Sequence, residues 1–100
     1  MSKPERLKED GSYDLTPAKS ILEEAIDITS GARREAYGHP RESFERIAKM
    51  WSAYMSHEIG PRDVAMMMVL LKTCREANSA KRDSLVDIAG YARTAELLDE

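Results

Sequence analysis

Two aspartates one helical turn apart have a spacing that suits a metal ion. Asp83 and Asp87 lie in a segment with helical apolar spacing, so both carboxylates project from the same face of the helix. Carboxylate oxygens are ligands that magnesium prefers in proteins. The spacing therefore predicts that Asp83 and Asp87 hold a magnesium ion. The alternative interpretation is that Asp83 favours a helix N-terminus, while Asp87 pairs with Lys72, Arg75 or Arg93.

Two basic side chains end the apolar segment that precedes this pair. Lys72 and Arg75 follow the apolar run of residues 64–71, so their stems can pack on the core while their charged heads gather at its rim. Cationic heads placed in this way can hold phosphate. Alternatively, they pair with nearby carboxylates and with the last carbonyls of their own helix.

A third group of polar side chains surrounds Gly38. Residues 33–40 combine an arginine pair, a phenol and an imidazole in a short corner. Tyr37 could stack on a base while Arg33 or His39 contacts a phosphate, although a tyrosine at a corner can also pack under the loop. Taken with the basic rim, the sequence predicts the following nucleotide-binding residues: Arg33, Tyr37, His39, Lys72 and Arg75.

Gly90 lies in the middle of a predicted helix, where glycine costs about 1 kcal/mol relative to alanine. The absence of a side chain at this position therefore needs a reason. Close helix packing is the favoured interpretation, since Thr94 one turn later would complete a groove of small residues for another helix. The same groove could be a dimer contact or could admit a ligand.

Apolar residues recur at helical spacing in four segments that position these groups. Helices are predicted over residues 17–35, 40–57, 64–76 and 83–98, with Thr16 as the cap of the first. The turn at Gly38 and Pro40 should join the first two as a tight corner. The second helix carries a core stripe that includes Trp51, and the run of residues 64–71 is apolar on every face, which is typical of a central helix.

Composition sets the class of protein. The chain has 100 residues, of which 42% are hydrophobic and 33% charged, a mixture typical of one soluble globular domain. The net charge of -3 provides no attraction for non-specific nucleic-acid binding. A single cysteine excludes a disulfide framework. We expect neither a signal peptide nor a membrane span, since no apolar run approaches the roughly 20 residues needed to cross a bilayer.

Together these features predict an all-α fold, a four-helix bundle-like single domain over residues 16–100 preceded by a flexible, disordered tail over residues 1–15. A small bundle with an all-round apolar helix has more apolar surface than it can cover by itself. We therefore expect a homodimer or larger homo-oligomer, located in the cytoplasm.

The chain resembles small phage- and prophage-encoded helical proteins of uncharacterised function. The resemblance lies in residues 34–40, 44–54, 63–75 and 81–92. Residues 83–92 are also similar, more distantly, to the last core helix of MazG-like all-α nucleoside triphosphate pyrophosphohydrolases and to phage nucleotide-modification-associated domains. This resemblance implies helical oligomers, magnesium and nucleotide substrates in the cytoplasm of a host bacterium.

The acidic pattern of MazG-like enzymes is only partly present. Asp87 matches the expected final carboxylate, whereas Ser84 stands where its acidic partner would be, and the preceding helix offers Lys72 and Arg75 in place of acidic ligands. No catalytic residue is assigned. We expect a protein that binds or hydrolyses a nucleotide, with magnesium on Asp83 and Asp87 if it hydrolyses. The alternative is a non-catalytic phage interaction protein that inhibits a host enzyme or a defence complex.

Overall fold

A computed structural model describes residues 6–7, 13–14 and 19–99 of the chain, without the side chains of the first two segments and of residues 32, 33 and 37. Two short strands, which pair antiparallel, precede the helices. The elements in chain order are β1 (Arg6–Leu7), β2 (Tyr13–Asp14), α1 (Ile21–Ile28), α2 (Gly31–Tyr37), α3 (Pro40–Met55), α4 (Pro61–Asn78) and α5 (Arg82–Leu98). Helices dominate the described residues, so the predicted all-α fold class is confirmed.

The first helix begins later than its sequence pattern predicts. Ser20 caps α1: its hydroxyl oxygen accepts from the Glu23 amide at 3.1 Å, and the Glu23 carboxylate accepts from the Ser20 amide at 3.1 Å. This reciprocal arrangement satisfies two amides at the start of the helix. The predicted start at residue 17 is therefore wrong. Thr16 and, apart from β1 and β2, the predicted tail of residues 1–15 lie outside the described residues.

The predicted helix of residues 17–35 is in fact two helices. α1 ends at Ile28 and α2 begins at Gly31. Between them, Ser30 is fully extended and Gly31 has a φ of +62°, a left-handed value that glycine adopts without steric cost. The Thr29 hydroxyl donates to the Ala25 carbonyl at 2.8 Å, as is common for threonine near a helix end. Thr29, Ser30 and Gly31, three consecutive residues that form helices poorly, thus change the direction of the chain.

The corner at Gly38 is confirmed. Gly38 has φ 75° and ψ −168°, a region that is essentially restricted to glycine. His39 caps α3, with Nδ1 accepting from the Arg41 amide at 3.1 Å. Pro40 occupies the first turn of α3, where the missing amide is not needed. Glycine and proline therefore fix the angle between α2 and α3.

Replacing Gly38 by alanine is expected to lower the free energy of unfolding by about 1–3 kcal/mol, because a Cβ is strained in this backbone region. The matched control is Gly90→Ala, which lies inside α5 and should instead raise stability by up to about 1 kcal/mol. Urea unfolding followed by circular dichroism measures both. Equal effects of the two substitutions would contradict the assigned backbone geometry.

The central helix is α5, which packs against α4, α1 and α3. It runs antiparallel to α4, as shown by ion pairs between Lys72 and Asp87 and between Arg62 and Asp99. The buried apolar core consists of Ala25, Ala48, Val64, Ala65, Val86, Ala95 and Leu97. The prediction that residues 64–71 form the central helix is therefore wrong, because Met66, Met67, Leu70 and Leu71 of α4 are exposed.

The buried face of α5 differs from the one that apolar spacing predicts. This spacing places Leu85 and Ala92 in the core, but both are exposed, whereas Ser84 and Thr94 are buried. Both α1 and α4 contact this helix, so its buried residues do not form one simple stripe. The Thr94 hydroxyl is satisfied because it donates to the Gly90 carbonyl at 2.9 Å.

The apolar stripe of α3 is covered only in part. Ala48 is buried, but Trp51, which the sequence predicts to be largely buried, is only half-buried. Tyr54 and Met55, at the end of the same stripe, are exposed. Helical periodicity identifies a possible core face. How much of that face is buried depends on where the neighbouring helices lie.

Candidate functional site

A groove of about 450 Å³ lies between the α1–α2 junction, the start of α3 and one side of α5. This volume is in the range of small-molecule sites. The lining residues come from four helices and the two corners that connect the first three. They are Ile28, Thr29, Arg34, Gly38, Pro40, Ser43, Phe44, Val86, Asp87, Gly90, Tyr91, Thr94 and Leu97.

The groove combines apolar walls with a small number of polar groups. Phe44 and Tyr91 contribute aromatic rings, and Arg34 and Asp87 contribute opposite charges. The Ser43 hydroxyl donates to the Pro40 carbonyl at 3.1 Å, which leaves its oxygen able to accept. A mostly apolar cavity with a few polar groups is the usual composition of a small-molecule site.

Gly90 opens the floor of this groove. A Cβ built at Gly90 would meet no atom within 4 Å. The predicted reason for this glycine, close packing of another helix, is therefore wrong within the described part of the chain. Gly90 lines the groove, and the open space beside it is consistent with both remaining interpretations, a bound ligand and a dimer contact.

Asp87 is paired with Lys72 across the α4–α5 contact. The Lys72 amine lies 2.9 Å from the Asp87 carboxylate, with 17% of the lysine side chain and 40% of the aspartate side chain exposed. This ion pair is one of the alternatives that the sequence leaves open. Asp83, one turn earlier, is exposed. Among the described residues no group of three or more His, Cys, Asp or Glu side chains could hold a metal ion, so magnesium at Asp83 and Asp87 stays a prediction.

The structure describes the side chains of three of the predicted nucleotide-binding residues. His39 lies at the groove's corner, between the lining residues Gly38 and Pro40. Lys72 pairs with Asp87 of the groove lining, and Arg75 is exposed near the end of α4, outside that lining. Arg33 and Tyr37 lie on α2, but their side chains are outside the described residues. The site of five residues therefore stays a prediction.

Sequence reasoning missed several residues that line the groove. The sequence pattern predicts a binding role for Arg33 but not for its neighbour Arg34, and it predicts none for Ser43, Phe44 and Tyr91. For Arg34 and Tyr91 a signal existed, since one belongs to the polar corner and the other follows the unexplained Gly90. Ser43 and Phe44 have no local sequence signal, because they line the groove only through the packing of α3 beside α5.

Arg82, the first residue of α5, connects this helix to the start of α1. Arg82 pairs with Glu24 and also donates to the Lys19 carbonyl at 2.8 Å. Lys19, just before the cap of α1, donates to Asp27 on α1, and this hydrogen bond together with the charge of Asp27 raises the pKa of the Lys19 amine above its ordinary value. These surface contacts orient α1 along the first half of α5.

Asp87→Asn is expected to lower the free energy of unfolding by about 1 kcal/mol, because it leaves a mostly buried lysine without its carboxylate in a partly solvated setting. Asp83→Asn is the matched control on the same helix, and its exposed position predicts a change within about 0.5 kcal/mol. Thermal unfolding of both variants measures the difference. A larger effect at position 83 would contradict the assigned pairing.

The fold and the groove define a small all-helical protein with a ligand-sized groove beside its central helix. Within the described part of the chain, no helix combines the length and the apolar character needed to cross a membrane. The chain belongs to the family described as Domain of unknown function (DUF6378), whose model matches residues 20–99.

Two phage proteins are similar to this chain. The Gene 55 protein of Mycobacterium phage D29 is 45% identical over 84 residues, which is 83% of this chain and 56% of the relative. The Gene 55 protein of Mycobacterium phage L5 is 48% identical over 79 residues, covering 77% and 51% respectively. The chain therefore spans about half the length of these curated relatives. The resemblance to small phage-encoded proteins is confirmed, and no solved structure matches the chain at a significant level.

Proposed function

We propose that the groove beside α5 binds a nucleotide. The observation that carries this proposal is the open space at Gly90, directly beside two aromatic rings and two opposite charges in a cavity of about 450 Å³. Glycine inside a helix is destabilising, and here its missing side chain leaves room for a ligand to approach the backbone.

The aromatic and charged residues of the groove each have a role in binding a nucleotide. Phe44 and Tyr91 offer rings for contact with a base. The Arg34 guanidinium has five donors in a planar arrangement that suits phosphate. Asp87, held in place by Lys72, accepts hydrogen bonds from sugar hydroxyls or from an exocyclic amine. The combination selects a molecule with an aromatic part and an anionic part.

Binding has stronger support than hydrolysis. Asp87 is the only carboxylate among the described residues that line the groove, whereas the MazG-like resemblance implies acidic residues in pairs. Hydrolysis would require magnesium at Asp87, with Asp83 as a second ligand and a bound water as the nucleophile. This extension of the proposal, and the expected location in the host cytoplasm, rest on the resemblance.

A nucleotide panel in a thermal-shift experiment, with and without magnesium, tests the proposal. A nucleotide present at 100 times its dissociation constant should stabilise the fold by about 2.7 kcal/mol. Stabilisation without magnesium supports nucleotide binding without a metal ion. Release of a nucleoside monophosphate and pyrophosphate only when magnesium is present supports hydrolysis. Unchanged unfolding temperatures throughout the panel, at millimolar nucleotide, would overturn the proposal.

The second candidate function is inhibition of a host enzyme or defence complex through protein contact. The observation that favours it is the exposed apolar surface of α4, where Met66, Met67, Leu70 and Leu71 are accessible. Such a protein would inhibit its target with or without nucleotide. Substitutions on α4 would then abolish the activity, while substitutions in the groove would leave it intact.

A further inference from the structure

Lys72 pairs with a residue of the groove wall but does not line the groove itself. Its amine lies 2.9 Å from the carboxylate of Asp87, which is a lining residue. The lysine side chain is 17% exposed, whereas Arg75, three residues later on α4, is exposed. An ammonium group with so little access to water needs a counter-charge, and Asp87 supplies it.

Asp87 lies within one helical turn of the open space at Gly90. Gly90 and Tyr91 follow Asp87 by three and four residues on α5, so the three residues lie on the same face of the helix. One turn rises about 5.4 Å, which is less than the Debye length of about 8 Å at physiological ionic strength. The charge at Asp87 therefore acts, with little screening, on a ligand that lies beside Gly90.

We propose that Lys72 determines, through the charge of Asp87, whether the groove accepts a ligand that carries phosphate. A lone carboxylate in the groove wall would repel a phosphate group. Lys72 balances that charge, while Asp87 keeps its ability to accept hydrogen bonds from the ligand. The inference rests on the proposed nucleotide binding, and it gives Lys72 an indirect role in place of the direct phosphate contact that the sequence predicts.

The ratio between the affinity for a nucleotide and the affinity for the nucleoside that it contains measures this effect. Lys72→Met should lower the ratio about tenfold, because methionine replaces the apolar stem and leaves the charge of Asp87 unbalanced. Asp87→Asn alone should raise the ratio, since the charge of Lys72 is then unbalanced. The double variant should have the wild-type ratio, because both members of the pair are neutral. Lys72→Arg keeps the charge and should keep the ratio.

Arg62→Met is the matched control. Arg62 on α4 pairs at 2.9 Å with Asp99, at the end of α5, so this change also removes one cation from an ion pair between the same two helices. Neither residue lines the groove, and the ratio should stay at its wild-type value. Titration calorimetry with adenosine, guanosine, cytidine, uridine and their mono- and triphosphates gives the affinities. Circular dichroism verifies that the variants keep their helices.

An unchanged ratio in Lys72→Met would overturn the inference alone, because wild type would still bind nucleotides. The same conclusion would follow if Lys72→Met lowered both affinities by the same factor, which indicates a purely structural role, or if Arg62→Met lowered the ratio equally. Should Lys72→Met fail to fold, an unchanged or lowered ratio in Asp87→Asn would overturn it. Wild type that binds none of these ligands would overturn the proposed function together with the inference.

Discussion

Leu97→Ala is expected to lower the free energy of unfolding by about 2–5 kcal/mol. Leu97 is only 1% exposed and lies on the central helix, where it also forms part of the groove wall. Truncation removes buried methyl groups and leaves a cavity that the surrounding helices fill only in part. Because one or two kcal/mol is a large fraction of the stability of a small domain, this variant should unfold at a clearly lower urea concentration.

Leu85→Ala is the matched control for that measurement. Leu85 is the same residue type on the same helix, but it is 40% exposed. We expect its truncation to cost about 1 kcal/mol or less, since part of the side chain is in water in the folded state. If the two alanine variants were equally stable, the assigned difference in burial between Leu97 and Leu85 would be wrong.

Gly90→Leu should weaken nucleotide binding by at least about tenfold, which corresponds to 1.4 kcal/mol. The added side chain would extend into the space that is open at Gly90 and occupy volume that the ligand needs. Helical stability should not fall, because leucine has a higher helix propensity than glycine by about 0.8 kcal/mol. Loss of nucleotide binding without loss of stability would identify the space beside Gly90 as the nucleotide site.

Ala92→Leu provides the corresponding control. Ala92 lies on α5 two residues later and is exposed, outside the groove lining. The same leucine side chain added there should leave nucleotide affinity unchanged. Titration calorimetry on both variants gives the comparison, and equal affinities for Gly90→Leu and wild type would show that any nucleotide binds elsewhere.

The sequence predicts the start of α3 better than that of the first helix. Pro40 occupies the first turn of α3, where proline is favoured for a local reason. α4 begins at Pro61, three residues before its predicted start at residue 64, because Pro61 also opens a helix. The break after α1 depends instead on Thr29, Ser30 and Gly31, each of which a helix can tolerate singly. The predicted helix of residues 17–35 therefore runs through these three residues, whose combined effect is seen in the backbone.

The candidate site is less predictable because it depends on which helix faces meet. The sequence indicates that Gly90 lacks a side chain for a reason, but it cannot show what lies opposite. The sequence predicts Lys72, Arg75 or Arg93 as alternative partners of Asp87, and the structure confirms Lys72. Phe44 joins the groove only because the start of α3 packs beside α5, a tertiary contact without a local signature.

The most direct test of the groove is a nuclear magnetic resonance titration of the isotopically labelled chain with the nucleotide that stabilises it most. Amide shifts should change, saturably, at residues of the groove, above all Gly90, Tyr91 and Ser43, while amides along the exposed side of α4 stay unchanged. Saturable changes confined to α4, or no changes at millimolar nucleotide, would contradict nucleotide binding by the groove.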